Sequence, residues 1–342
     1  MTSESLAHKL LEEFDHRHAG HCESGTVATL LRSNGLDLSE PMVFGIGGGL
    51  FFFYMPLVKM AGMPLTAYRD APRILLKNTA KRLGVRYRYL RFRDPQKGMD
   101  TLDDLLQQGT AVGLQGNVFW LPYFPPEMRF QYNGHNFVAI GKREGEYIIS
   151  DPVADHIVSC PAEDLRRARF AKGLMAPKGL IYYPEYVPEN PPIAEIIPVA
   201  IKDTAKRMLD IPVPFFGVRG IRFLANRMQR WPHKKDQKTA AALVGHVVRM
   251  QEEIGTGGAG FRFMYAAFLK ESANMLGNDK LRQASEMLSD TGDRWREFAM
   301  HGAALCQGGD RSGGAYKDLA DIMRECADRE EKVYQLMREA VS

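Results

Sequence analysis

Hydrophobic and polar positions follow two different patterns along the 342-residue chain. In the first half, short runs of β-branched and aromatic residues lie between Gly and Pro turns, which is typical of strands. Beyond residue 198, apolar residues recur at spacings of three and four, the period of a helix. The predicted strands are 111–119, 136–141, 146–150 and 179–183, and the predicted long helices are 239–254, 261–275, 279–300 and 316–341.

A proline-rich segment, residues 186–198, separates the two patterns and is predicted to be a linker. Residues 1–185 are therefore expected to form a domain of mixed α and β structure, and residues 199–342 a mostly helical domain that serves a substrate or a partner. The predicted fold class is α+β. Two helices are predicted near the N-terminus: 6–14, which is amphipathic, and 24–33, which ends at Asn34-Gly35.

Composition excludes several classes of protein. With 45% hydrophobic and 25% charged residues, the chain is that of a globular protein rather than a disordered one. A net charge of +4 is too small to indicate nucleic acid binding, and no nucleic-acid module matches. The sequence shows no signal peptide and no apolar run long enough to span a bilayer. The four cysteines form no CxxC pair, so we expect free thiols and a cytoplasmic location.

Cys22 comes at or just before the start of the predicted helix 24–33. The N–H groups and the positive end of a helix dipole favour a thiolate, and the same groups can stabilise an oxyanion. A small buried hydrophobic residue is the alternative interpretation of this cysteine.

His135 and Asp151 flank a predicted hairpin. His135 opens the strand 136–141, a Lys-Arg-Glu-Gly turn follows, and Asp151 closes the strand 146–150 before Pro152. Since the open ends of a hairpin meet, the two side chains are expected to be neighbours, so that the carboxylate can orient the imidazole. A surface histidine and an Asp-Pro turn are the alternative.

These motifs, together with Gly-Ile-Gly-Gly-Gly-Leu-Phe-Phe at 45–52, Leu-Pro-Tyr at 121–123 and the glycine-rich segment 255–262, resemble the butirosin biosynthesis protein H family. The resemblance implies a papain-like domain followed by a helical domain. It also implies an acyltransferase that takes an acyl group from a carrier-protein thioester, or from coenzyme A, to an amine or hydroxyl of a small molecule. Neither a metal nor a resident cofactor is expected, because the phosphopantetheine arrives on the donor.

Under this resemblance Cys22 is the nucleophile, His135 the general base and then acid, and Asp151 the orienting carboxylate. His16, six residues before the cysteine, stands where papain-like enzymes often carry the glutamine of the oxyanion hole. A solvated cluster with His18 and His21 is the alternative. Asn117, Tyr123 and Arg262 are candidate substrate contacts. We further expect the segment 255–260 and Arg262 to lie at the mouth of the substrate cleft. A turn between two helices is the alternative interpretation of this segment.

Two alternatives remain open at the level of sequence. The same three residues would serve a cysteine hydrolase, either a thioesterase or a peptidase, and a non-catalytic binding module could retain the same shape. A basic stretch over residues 202–235 is either a solvated face or a surface for an acidic carrier protein or phosphopantetheine.

Overall fold

The computed structural model describes residues 3–60, 62–254 and 257–342, and it divides into two compact units. Unit 1 comprises the residues up to Val43 and Leu76–Pro191, whereas unit 2 comprises Phe44–Leu75 and Pro192–Ser342. The last boundary falls inside the segment predicted to be a linker. The segment Phe44–Leu75, which the sequence had assigned to the first domain, belongs instead to the C-terminal unit.

Helices and strands are distributed unevenly between the two units. The helices, in chain order, are α1 (Ser3–Glu12), α2 (Cys22–Arg32), α3 (Glu40–Ile46), α4 (Ile74–Leu83), α5 (Pro95–Gln107), α6 (Ala162–Arg169), α7 (Ile193–Leu209), α8 (Gly217–Met228), α9 (Trp231–Lys234), α10 (Gln237–Glu252), α11 (Arg262–Leu276), α12 (Asp279–Cys306) and α13 (Gly313–Ala340). The strands are β1 (Leu50–Met60), β2 (Met63–Arg69), β3 (Arg86–Leu90), β4 (Val112–Gly116), β5 (His135–Arg143), β6 (Glu146–Ser150), β7 (Val158–Pro161) and β8 (Ile181–Tyr186). The α+β class predicted from the sequence, with a mostly helical C-terminal region, is confirmed.

Unit 1 is built on a six-stranded antiparallel sheet in the order β3-β8-β4-β5-β6-β7. The central strand β5 is buried along its first seven residues, as expected of a strand covered on both faces. Helix α2, of which the first ten residues are buried, packs against β5. The predicted hairpin is confirmed as β5 and β6, so its open end and the start of α2 form one region of the unit.

Strand β4 is shorter than the predicted strand 111–119. It ends at Gly116 because the next residue, Asn117, starts a 3-10 turn over Val118–Trp120. The Asn117 side chain accepts a hydrogen bond from the N–H of Phe119 at 2.9 Å, which competes with continuation of the strand.

Unit 2 combines the β1–β2 hairpin with helices α7 to α13. The four predicted helices in this half are confirmed as α10, α11, α12 and α13, each of which buries one face. The β1–β2 hairpin was not predicted from the sequence, because the glycines before it and the prolines within it break the alternation of apolar and polar residues that marks a strand. Among the described residues, no helix is long and apolar enough to cross a membrane.

Candidate active site

Cys22 is the first residue of α2 and its side chain is almost buried, with 8% of the residue exposed. The preceding residue, His21, is extended and caps the helix, since its Nδ1 accepts a hydrogen bond from the N–H of Ser24 at 3.3 Å. The thiol therefore lies at the positive end of the helix dipole, where a negative charge is stabilised.

A carboxylate holds the loop that leads into this cysteine. Glu40, the first residue of α3, accepts hydrogen bonds from the N–H of Gly20 at 2.8 Å, the N–H of His21 at 2.9 Å and the hydroxyl of Ser24 at 2.8 Å. Burial raises the pKa of Glu40, and the three donors oppose that rise. Glu40 was not identified from the sequence, because its partners lie 16 to 20 residues away and no local motif connects them.

The same loop is also attached to the Asp-Pro turn. The N–H of Ala19 donates to the carbonyl of Pro152 at 2.6 Å. A Cβ atom at Gly25 would lie 2.6 Å from the Cβ of Pro152 and 2.7 Å from that of Ala19, so only glycine allows α2 to approach this closely. These contacts position the start of α2 beside the turn that carries Asp151.

His135 and Asp151 form a buried pair at the open end of the hairpin. His135 Nε2 lies 2.6 Å from Oδ2 of Asp151, and Asp151 is fully buried. The hydroxyl of Tyr123 donates to the same oxygen at 2.8 Å, while Oδ1 accepts from the N–H of Val153 at 3.1 Å. Both oxygens of the Asp151 carboxylate are therefore hydrogen-bonded, and the carboxylate that binds the imidazole is shielded from solvent.

The Cys22 thiol is hydrogen-bonded to the same imidazole. Because Nε2 is occupied by Asp151, Nδ1 is the nitrogen available to the thiol. The ring is fixed from the side by Phe124, at 5.4 Å between ring centroids, and by Phe137 at 5.8 Å. Burial alone would lower the pKa of His135, but the charge and hydrogen bond of Asp151, together with Cys22, raise it well above its ordinary value.

His16 does not have the geometry of an oxyanion donor. Its Nδ1 lies 2.8 Å from the hydroxyl of Ser150, and its Nε2 lies 3.0 Å from the carbonyl of Ala154. A carbonyl can only accept, so Nε2 carries the proton and Nδ1 pairs with the hydroxyl. Since both ring nitrogens are occupied, the structure argues against the predicted role, and His16 instead ties the N-terminal segment to the Asp-Pro turn.

Asn117 and Tyr123 were predicted to contact the substrate, but their side chains are hydrogen-bonded to other residues of the protein. Asn117 is 1% exposed, and its amide nitrogen donates to Gln131 at 3.0 Å and to Asn133 at 2.7 Å. With its oxygen bound to the N–H of Phe119, the side chain is fully used in shaping the loop. The Tyr123 hydroxyl is committed to Asp151, so Tyr123 supports the His135–Asp151 pair.

Arg262 is fully buried in unit 2, which argues against the predicted contact with a substrate anion. Its Nε and Nη2 donate to the two oxygens of Glu330, each at 2.9 Å, and its Nη1 donates to the carbonyl of Gly260 at 2.7 Å. Burial would lower the pKa of this guanidinium, but Glu330 raises it above the ordinary value. Of the glycine-rich segment predicted to line the cleft, Gly255 and Thr256 lie outside the described residues.

The other three cysteines are free thiols, as Cys22 is. Burial raises the pKa of Cys160 to about 12, and burial also raises the pKa values of Cys306 and Cys326. Among the described residues, no histidine contributes to the pKa shifts of these three thiols. Within the ranges that the structure describes, no group of three His, Cys, Asp or Glu side chains could hold a metal ion.

Two family models match the chain. The model of the butirosin biosynthesis protein H N-terminal domain matches residues 21–152, which contain Cys22, His135 and Asp151. The model of a domain of unknown function, DUF4872, matches residues 163–337, just over half of the chain. No protein of curated function matches the sequence.

A solved structure described as a putative C39-like peptidase from Bacillus anthracis overlaps the chain in part. It is 16% identical, covers 52% of this chain and 98% of its own, and has a TM-score of 0.36. A likeness at this level does not establish a shared fold. The family models are stronger, and they match the motifs identified in the sequence: the chain belongs to the DUF4872 family, and residues 21–152, ahead of that domain, are similar to the N-terminal domain of butirosin biosynthesis protein H.

Proposed function

We propose that this protein is a cysteine-dependent acyltransferase, in which Cys22 is the nucleophile, His135 the general base and acid, and Asp151 the carboxylate that orients the imidazole. The observation that carries the proposal is the unbroken hydrogen-bonded series from the thiol through the imidazole to the buried carboxylate. Such a series is the recurring requirement for an activated thiol nucleophile.

In the first half of the reaction the raised pKa of His135 keeps the thiol proton on Nδ1 of the imidazolium, and the Cys22 thiolate attacks the carbonyl carbon of an acyl thioester. The negative charge on the tetrahedral oxygen is stabilised by the N-terminus of α2, where the backbone N–H of Cys22 is the donor that we assign. Collapse breaks the bond to the thiol of the donor, which leaves with the proton from His135, and acyl-Cys22 remains.

In the second half an amine or hydroxyl of a small-molecule acceptor attacks acyl-Cys22, and His135 removes the proton from the attacking group. The bond to the sulfur breaks and the new amide or ester leaves, while the proton stays on His135, so that the thiolate and the imidazolium are restored. The atoms balance without an oxidant or a metal ion. The donor is an acyl carrier protein or coenzyme A thioester, which the membership in a biosynthetic family supports.

Hydrolysis is the competing outcome, since water can replace the acceptor in the second half. The two are separated by mixing the protein with acyl-coenzyme A and acyl-carrier thioesters, with and without a panel of amines. Amide formation that increases with amine concentration at the expense of free acid is the expected result. Release of free acid at a rate that no amine changes would identify a thioesterase instead.

A further inference from the structure

A cavity of about 460 Å³ lies within unit 2 and is surrounded by cations. It is formed by the β1–β2 hairpin, the end of α8, the short helix α9 and the start of α10. Its six cationic side chains are Lys59, Arg227, Arg230, Lys234, Lys235 and Lys238.

These cations are not neutralised by the protein itself. None of the six forms an ion pair with an acid in the part of the chain that the structure describes. Elsewhere in the same unit, Arg222, Arg294 and Arg338 are each paired with an acid. The carboxylate of the nearby Asp236 caps α10, since it accepts a hydrogen bond from the N–H of Thr239 at 2.9 Å.

A solvated helix face does not explain this arrangement. The six cations come from one strand, three helices and the segments between those helices, and they converge on one concave site. Its walls are mainly apolar, with the nearly buried rings of Tyr54 and Trp231 and the side chain of Leu243. Unpaired cations around a recess with apolar walls concentrate an electrostatic potential that attracts polyanions.

From these observations we propose that the cavity binds an organic polyphosphate: a small molecule with two or more phosphoryl groups on an aromatic or apolar body, such as a nucleotide. The volume lies in the range of small-molecule sites, and inorganic phosphate alone would leave most of it empty. Arginine and lysine are the side chains that bind phosphoryl oxygens, and the apolar walls fit the body of the ligand. The proposal does not depend on the acyltransferase activity.

The test is calorimetric titration of the full-length protein with ATP, adenosine 3′,5′-bisphosphate, pyrophosphate and adenosine. We expect the two nucleotides to bind with an affinity that falls as salt is added, pyrophosphate to bind more weakly, and adenosine not to bind. The triple variant Lys234→Gln, Lys235→Gln, Lys238→Gln should lower nucleotide affinity by about tenfold or more, since three charged contacts are lost.

The matched control carries the same change of charge at three exposed lysines of unit 2 that lie outside the cavity: Lys202→Gln, Lys206→Gln, Lys270→Gln. It should bind nucleotides as the native protein does. Equal losses in both triple variants would mean attraction by net charge alone and would overturn the proposal. The proposal would also be overturned if no nucleotide bound to the native protein. It would be overturned likewise if the cavity variant lost binding to an acidic carrier protein but kept its affinity for nucleotides. Both triple variants should melt near the native temperature, because the substituted side chains are exposed.

Discussion

His135 Nε2 lies 2.6 Å from Oδ2 of the fully buried Asp151. The pair lies at the open end of one hairpin, and it is the partner of a cysteine that begins a helix more than a hundred residues earlier in the chain. The hairpin, the helix and the Asp-Pro turn together position the Cys22 thiol, the His135 imidazole and the Asp151 carboxylate, whose chemistry depends on their mutual contact.

Replacing Asp151 with Asn should lower the pKa of His135. The charge of Asp151, which raises this pKa more than Cys22 does, would be gone, and the opposing effect of burial would remain. In the native protein the His135 resonances in an NMR titration should stay those of the imidazolium at pH 8, whereas in Asp151→Asn they should change at or below neutral pH. A native titration near the value of a free histidine would contradict this account.

The same pair should make the stability of the protein depend on pH. Because the folded-state pKa of His135 is raised, to about 10, its contribution to the free energy of unfolding is complete below about pH 6.5 and declines as pH rises toward the folded value. The difference in melting temperature between the native protein and Asp151→Asn should therefore be largest at pH 6 and smaller at pH 9.5. A difference that grew with pH would exclude the charged pair.

Gly25→Ala should destabilise unit 1 and slow the alkylation of Cys22 by iodoacetamide. The new methyl group would meet Pro152 and Ala19, neither of which can move aside, so α2 must shift from the Asp-Pro turn. Overpacking of this kind costs about 1–3 kcal/mol. Gly314→Ala is the control, because its methyl group would meet only the Ser312 hydroxyl at 3.4 Å in the first turn of α13. Native-like stability and Cys22 reactivity in Gly25→Ala would show that the close approach is not needed.

Arg262→Met should destabilise unit 2 rather than impair substrate binding. It leaves the buried Glu330 carboxylate without its cation, and breaking a buried pair in this way costs about 3–5 kcal/mol. Adding Glu330→Gln should recover part of the loss, which denaturant unfolding of both variants would measure. If Arg262→Met unfolds like the native protein but has a raised KM for the acyl acceptor, the role predicted from the sequence would be restored.

The sequence was sufficient to predict the features of the site that are local. The hairpin that brings His135 and Asp151 together follows from two strand patterns and one turn, and the position of Cys22 follows from a helix start. The four helices of the C-terminal half were predicted for the same reason, because a repeated apolar spacing marks a helix without reference to the rest of the fold.

Features that depend on distant partners could not be predicted in this way. No sequence motif around Glu40 indicates that its carboxylate binds the loop before Cys22. Likewise, no motif around Arg262 indicates that it forms a buried ion pair with Glu330, 68 residues later. Asn117 and His16 were assigned to a substrate and an oxyanion because a polar side chain in a motif does not reveal its tertiary partner. The assignment of Phe44–Leu75 to unit 2 likewise depends on long-range packing.

The most direct test of the acyltransferase proposal is the mass of the protein after brief mixing with acyl-coenzyme A and acyl-carrier thioesters. We expect the native protein to gain the mass of one acyl group, on the proteolytic peptide that contains Cys22. The gain should be absent in Cys22→Ala and slow in His135→Ala, while Cys306, a free thiol that donates to the carbonyl of Ala241 and whose pKa burial raises, should remain unmodified. The account would be contradicted by a native protein that no thioester acylates, or by an equal gain of mass in Cys22→Ala.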